Sequence, residues 1–294
     1  MILNAENLRA ASRGFRALFL ETLGAAKPLY EQLAMVVPSS EASETYAFLK
    51  DLPAVREWVG DRVIHGLEAG GFTIVNRKWE STIGVKRSEI ERDKLGLVKP
   101  RIAMLADLAA KHPDKLVFEL LAGGFASLCF DGQYFFDTDH PVDGASVSNK
   151  GTGVLNPVNY RAAYAAMMAL RGDNGESLGI TPTHLLVPPQ LRATGLEILK
   201  AETIESTTNI DRDSAELVVA PQLSAHPTYW FLLDLSKPLR PFIVQILSGV
   251  EFTPKDRPDD DNAFMRDEFL YGTRSEHAAG YGLWQLAYGS TGGA

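Results

Sequence analysis

The sequence predicts an α+β chain. Apolar residues recur at three- and four-residue spacing in two long segments, around residues 8–19 and 102–121. β-Branched and aromatic residues cluster in several short runs, and Gly, Pro, Asp and Asn separate the two kinds of segment. With 294 residues, 45% hydrophobic and 22% charged, the chain has apolar material for one large domain or two modest ones. A wholly disordered chain is excluded.

The elements follow in order. Leu8, Ala11, Phe15, Leu18 and Phe19 form one face of a helix that Gly24 and Pro28 interrupt, with Arg9, Arg13 and Arg16 on much of the other face. That stripe packs either on its own domain or on a neighbouring subunit. Leu29, Leu33 and Val36 make a second apolar patch that runs into a turn at Pro38-Ser39-Ser40. Residues 72–86 have strand texture, and Asn76-Arg77-Lys78 suits the bend of a hairpin. Arg87 to Lys94 alternates in sign, as a solvated surface or a charged contact between subunits would.

Residues 101–122 read as helix, kinked or restarted at Pro113 because proline lacks the donor that a helix interior uses. Gly123-Gly124 ends it. An aromatic run follows, with a turn at Asp131-Gly132, and residues 137–157 read as loop. A helix is expected over 158–171, with Tyr160, Ala163, Tyr164, Met167 and Met168 as its core stripe. Leu185-Leu186-Val187 reads as a buried strand and 190–200 as helix. Strands are expected at 216–220, 229–233 and 242–247, then an acidic loop over 256–261 and two further elements at 264–271 and 280–288. The Gly-rich tail from Gly289 is expected to fray.

Charge and motif content narrow the function. Net charge is −8, and it is uneven: 14 basic and 13 acidic groups in residues 1–100, 8 and 10 in 101–200, and 7 and 14 in 201–294. No third is a basic domain, which disfavours broad nucleic-acid binding through a phosphate-neutralising face. No apolar run approaches the ~20 residues of a membrane span, and the start lacks the order of a signal peptide. The interior of a cell is the expected compartment. The single cysteine, Cys129, excludes an intramolecular disulfide or a site needing two thiolates from one chain, and reads as buried filler. There is no phosphate-binding Gly-rich loop, His-Glu-x-x-His pattern or nucleophile elbow. His65, His112, His140, His184, His226 and His277 are scattered. The best chemical cluster is Asp137-Thr138-Asp139-His140, two carboxylates and an imidazole that could hold a divalent cation or a water in a metal-dependent hydrolase. The competing reading is a structural turn stiffened by Pro141. Asp259-Asp260-Asp261 reads as a solvated loop.

Longer motifs carry a resemblance. Leu52-Pro53-Ala54-Val55-Arg56-Glu57-Trp58-Val59-Gly60-Asp61-Arg62, Phe72 to Glu80, Glu89 to Gly96 and Cys129 to Pro141 resemble the major head subunit of Mu-like phages and prophages, with looser likeness in the second half. The resemblance implies a Hong Kong 97-like capsid fold. It places an N-terminal arm at about 1–50 and the first part of a peripheral domain at 51–154. That part includes an extended hairpin at about 72–96 and a spine helix at about 100–123. An axial domain follows at 155–235, and return strands with a C-terminal segment at 236–294. It implies no enzyme, no cofactor, no metal and no catalytic residue. It implies a homo-oligomer of pentamers and hexamers in a shell in the virion, assembled in the bacterial cytoplasm around DNA held without sequence-specific contacts. Scaffold, protease, portal and decoration proteins are the expected partners. A nanocompartment shell and a tail protein are the structural alternatives. Candidate subunit contacts are Phe15, Phe19, Arg77, Lys78, Trp79, Arg87, Glu89, Glu91, Arg92 and Asp93.

Overall fold

A computed structural model describes residues 5–47, 71–92, 95–172, 175–204 and 206–293. The chain runs α1 (Ala5–Ala25), α2 (Tyr30–Leu33), β1 (Ala34–Pro38), β2 (Ser43–Tyr46), β3 (Phe72–Val75), β4 (Arg77–Lys86), α3 (Arg87–Glu91) and α4 (Leu95–Gly123). Three short strands follow, β5 (His140–Val142), β6 (Ala145–Val147) and β7 (Lys150–Gly151), and then α5 (Pro157–Met168). Next come β8 (His184–Val187), α6 (Arg192–Lys200), β9 (Thr203–Ile204), β10 (Thr207–Thr208), β11 (Glu216–Val219) and β12 (Trp230–Leu233). The chain closes with β13 (Phe242–Lys255), α7 (Asp261–Arg266), β14 (Glu268–Tyr281) and β15 (Ala287–Ser290). No helix among the described residues is long and apolar enough to cross a membrane.

Two sheets organise these elements. A four-stranded sheet has the order β1-β13-β14-β4, with β1 parallel to β13 and the other pairs antiparallel. A five-stranded sheet has the order β11-β8-β12-β15-β7. At 14 residues each, β13 and β14 make a ribbon about 46 Å long at 3.3 Å per residue. At its inner end Phe242, Ile243 and Val244 are buried in one core with Leu185, Leu186, Phe231, Leu232, Phe135 and Phe136. At its outer end Phe269 and Tyr271 belong to a second core with Phe15, Phe19, Val85, Ile90, Ile102 and Leu105.

The expected helices form, for the reasons the sequence supplies. Asn156 caps α5, its Oδ1 accepting the Asn159 N–H at 2.8 Å, with Pro157 in the first turn where no donor is needed. Tyr160, Ala163 and Met167 are buried on its inner side, whereas Met168, expected in that stripe, is 48% exposed. α4 is one continuous helix of 29 residues with Pro100 and Pro113 inside it. It neither stops nor restarts at Pro113, because packing holds both flanks: Ile102, Leu105 and Ala106 lie in one core, and Val117, Phe118 and Leu121 in the other. Asp114 pins the middle from outside, its Oδ1 accepting the Tyr30 N–H at the start of α2 at 2.7 Å.

Three expectations are corrected. Phe15 and Phe19 are not free for a neighbour. They are 1% and 0% exposed, Phe15 edge-on to Tyr271 at 5.2 Å and Phe19 stacked on Phe252 at 4.7 Å, so the α1 stripe packs on its own domain. Residues 72–96 do not form a hairpin bent at Asn76-Arg77-Lys78. β3 pairs with β2, from Ser43↔Val75 to Tyr46↔Phe72, and β4 pairs with β14. The β2–β3 pair brings Tyr46 opposite Phe72, and residues 48–70 between them lie outside those described. Gln245, fully buried, fixes that pair: it accepts the Tyr46 hydroxyl at 3.0 Å and donates to the Ile74 carbonyl and to Asn76 Oδ1. The tail does not fray from Gly289. β15 pairs with both β12 and β7, and Ser290 Oγ donates to the Gly153 carbonyl at 2.7 Å.

Truncating Phe19 removes a ring from the second core. Phe19→Ala should lower unfolding free energy by about 3–5 kcal/mol in urea denaturation. Leu20→Ala, at a position 51% exposed, should change it by less than about 0.5 kcal/mol.

Candidate assembly surfaces

The candidate contact residues divide by what they touch. Arg77 and Lys78 open β4 and are exposed, as is Arg92 after α3. Trp79 is half-buried: its ring packs on His112 at 4.3 Å and its Nε1–H donates to the His277 carbonyl at 2.9 Å. The Arg87 N–H donates to the Asp267 carbonyl at 3.0 Å. Glu89 lies 3.8 Å from Arg101, which also donates to the Gly84 carbonyl at 2.9 Å. Part of the alternating-sign run is thus held within the chain. The Glu91 side chain and Asp93 lie outside the described residues.

Other surfaces were not singled out by the sequence. Phe264 and Met265 are 86% and 76% exposed on α7, the turn of helix that joins β13 to β14. Only Ala263 of that helix is buried, and Asp267 ends it in a left-handed conformation at φ 53°. The element expected at 264–271, whose type the sequence left open, divides between the end of this helix and the start of β14. Leu97, Met104 and Leu108 are 60–65% exposed along α4.

The Asp137, Asp139 and His140 cluster is not assembled. Asp137 accepts the Tyr134 N–H on Oδ2 and the Thr138 N–H on Oδ1, as a turn-forming carboxylate does. Asp139 is exposed. His140 turns away into the core, fully buried and stacked on Trp284 with ring centroids 3.9 Å apart. Its Nδ1 lies 2.6 Å from Asp131 Oδ2 and its Nε2 3.2 Å from Asn149 Oδ1. Asn149 Nδ2 reaches the carbonyls of Phe135, Trp284 and Ala287, and Asn149 Oδ1 also accepts the Asp137 N–H at 2.9 Å. One buried amide thereby joins the 131–149 loop to the strand that completes the five-stranded sheet.

Among the described residues, one group gathers three metal-ligating side chains: Cys129, Asp131 and His140, with ligand atoms within 4.8 Å of one another. These donors already satisfy each other. The Cys129 thiol donates to Asp131 Oδ1 at 3.1 Å, so the carboxylate stands between thiol and imidazole. A nucleophilic cysteine needs the reverse order, with the base beside the sulfur. Burial, with Asp131 beside it, pushes the thiol far up, which keeps it protonated. The group is a structural tie.

For Asp131, burial acts to raise the pKa, but hydrogen bonds from His140, Cys129 and the Gln133 N–H outweigh it and hold it below the ordinary value. A depressed carboxylate stabilises the fold above its unfolded value of about 3.9 and loses that contribution as pH falls through the folded value. Asp131→Asn should therefore flatten the acid limb of the stability curve below about pH 4, read from thermal melts. Asn149→Ala strands several buried groups and should cost more than about 3 kcal/mol in urea denaturation.

This architecture is shared with known shells. The chain matches the family described as Mu-like prophage major head subunit gpT over residues 8–156, 150–223 and 224–293. It is 33% identical over 281 residues to the Mu-like prophage FluMu major head subunit of Haemophilus influenzae, covering 96% of this chain and 72% of that protein. It is 32% identical over 287 residues to the major capsid protein of Escherichia phage Mu, covering 98% of this chain and 74% of that one. A chain in the procapsid of bacteriophage JBD30 superposes with a TM-score of 0.63 at 34% identity, over 98% of this chain and 76% of that one. The fold is that of Hong Kong 97-like capsid proteins, and the chain belongs to the Mu-like prophage major head subunit family.

Proposed function

We propose that this chain is the major capsid protein of a Mu-like phage or prophage head, a structural protein whose copies self-assemble into an icosahedral shell. The near full-length match to major head subunits carries this reading. The geometry supports it: a ribbon about 46 Å long and a 29-residue helix give each copy reach across a surface, where a catalytic domain would enclose a cleft.

Pentamers and hexamers of the same chain are the proposed building blocks, since closed symmetry must reuse one set of contacts in both rings. Their contacts are proposed to include the exposed Arg77, Lys78 and Arg92, together with Phe264 and Met265. The packaged molecule is proposed to be double-stranded DNA, held without sequence-specific contacts. A net charge of −8 leaves its phosphates to counterions, which favours release. A scaffold, a maturation protease, a portal and decoration proteins are the proposed partners.

Purified protein examined by mass photometry and negative-stain microscopy should give rings or closed shells. Helical tubes would favour a tail protein, and enclosed protein cargo a nanocompartment. A sample that stays monomeric across salt and with a co-expressed scaffold would overturn the reading. Phe264→Asp with Met265→Asp should weaken each contact about tenfold, roughly 1.4 kcal/mol, and so raise the concentration needed for assembly, while leaving the melting temperature of the free subunit unchanged.

A further inference from the structure

The two cores do not meet along the ribbon. On α4 the residues of the outer core end at Ala106 and those of the inner core begin at Val117, and between them only Pro113 and Asp114 are buried. On β14 the buried side chains between Tyr271 and Ala278 are Thr273, Ser275 and His277, all polar. On β13 the same level carries two register shifts, between Ile246 and Ser248 and between Ser248 and Glu251. Pro113 lies at this level of α4, where it leaves one helical hydrogen bond unmade. A cavity of about 330 Å³ opens here, lined by Ala109, Pro113, Ile246, Ser248, Ser275 and His277. The middle of the ribbon is a waist that neither core spans, with polar side chains buried on β14 and an open cavity beside them.

One side-chain pair spans that waist. His112 Nδ1 on α4 lies 3.0 Å from His277 Nε2 on β14, 165 residues away. Trp79 of β4 covers both rings, with centroids 4.3 Å from His112 and 5.9 Å from His277. Such a contact needs one nitrogen to donate and the other to accept. If both rings are protonated, two N–H groups and two positive charges face each other at that distance, and the bond becomes a repulsion.

We propose that the waist is a proton-sensitive joint, with the His112–His277 hydrogen bond as the latch that holds α4 against β14. At neutral pH the latch is closed. Acid opens it and frees the outer half of the ribbon to shift relative to the inner half.

The surroundings set the pH. Burial pushes His277 down to about 4, with the charge of His112 adding to the effect. Burial also lowers His112, with Lys115 adding to that and Glu119 opposing it. Arg77 stands opposite His277 on β4, and Glu31 of α2 lines the cavity. β13 presents Ile246 and Ser248, which carry no charge. For both of these histidines the folded value lies below the unfolded one, so the closed state is stable above about pH 6.5 and weakens as pH falls toward about 4.

Hydrogen exchange of the full-length chain, read by mass spectrometry at pH 7.5 and pH 5.0 and corrected for intrinsic exchange, tests the joint. A ring that titrates at about 6.5 when open and about 4 when closed favours opening roughly thirtyfold more at pH 5.0 than at pH 7.5. Peptides covering 107–116 and 273–277 should show that rise, while those covering β8 and β12 should not. His112→Asn with His277→Gln keeps side-chain amides near the two ring nitrogens but cannot take the charge, and should abolish the rise. Where that pair does not fold, His277→Gln alone should cut it below that of the unaltered protein. No rise at the waist in the unaltered protein, an equal rise in β8 and β12, or a full rise in the substituted chains would overturn the proposal.

Discussion

Both cores depend on the antiparallel pairing of β13 with β14. At the inner end, Phe242, Ile243 and Val244 form an unbroken apolar run buried on both faces, which demands cover from two sides. The five-stranded sheet and the end of α4 supply that cover. Farther out, β13 alternates between partly buried and exposed residues, as a strand with one covered face does. There α1 and the first half of α4 cover the inward face, and β4 closes one edge. Gln245 extends the same logic to the β2–β3 pair, which is held to the sheet by hydrogen bonds from one buried amide.

Much of this order was written in the sequence. The spacing of Leu8, Phe15 and Phe19 gave α1, and the apolar run at Leu185 gave β8. Asn156 and Pro157 read as the end of a loop, yet they are the cap and the first residue of α5. What escaped were pairings between distant segments. Strand texture over 72–86 is real, but texture does not name a partner. β3 chose β2 and β4 chose β14 because register is set by which face each strand can bury. The length of β13 was underestimated, since its outer half carries Ser248, Gly249 and Pro254, residues that read as a break. Pro113 looked like a break and is not one, because a fixed packing cost can be met by cores on both sides. The tail looked loose because glycine predicts disorder only where nothing packs against it, and Gly289 lies against Phe136.

The polar residues were the least legible. Asp137, Asp139 and His140 are consecutive or nearly so, yet their side chains leave in different directions. His140 finds Asp131 and Asn149, and local spacing cannot show that a ring will turn inward to stack on Trp284. His112 and His277 carry no shared sequence signal at all. Their meeting follows from the helix crossing the sheet at one level.

The place of β15 has a consequence for synthesis. It lies between β12 and β7, strands encoded near residues 230 and 150, and is second from the edge of its sheet. A nascent chain that has emerged only to residue 281 already holds the whole ribbon, but the edges of β12 and β7 stand open and the carbonyls that Asn149 will join are missing. Such unpaired edges invite strands from other nascent chains on the same message. The sheet closes only once residues 287–290 have left the ribosome, so a copy becomes fit to join its neighbours only after that segment has emerged.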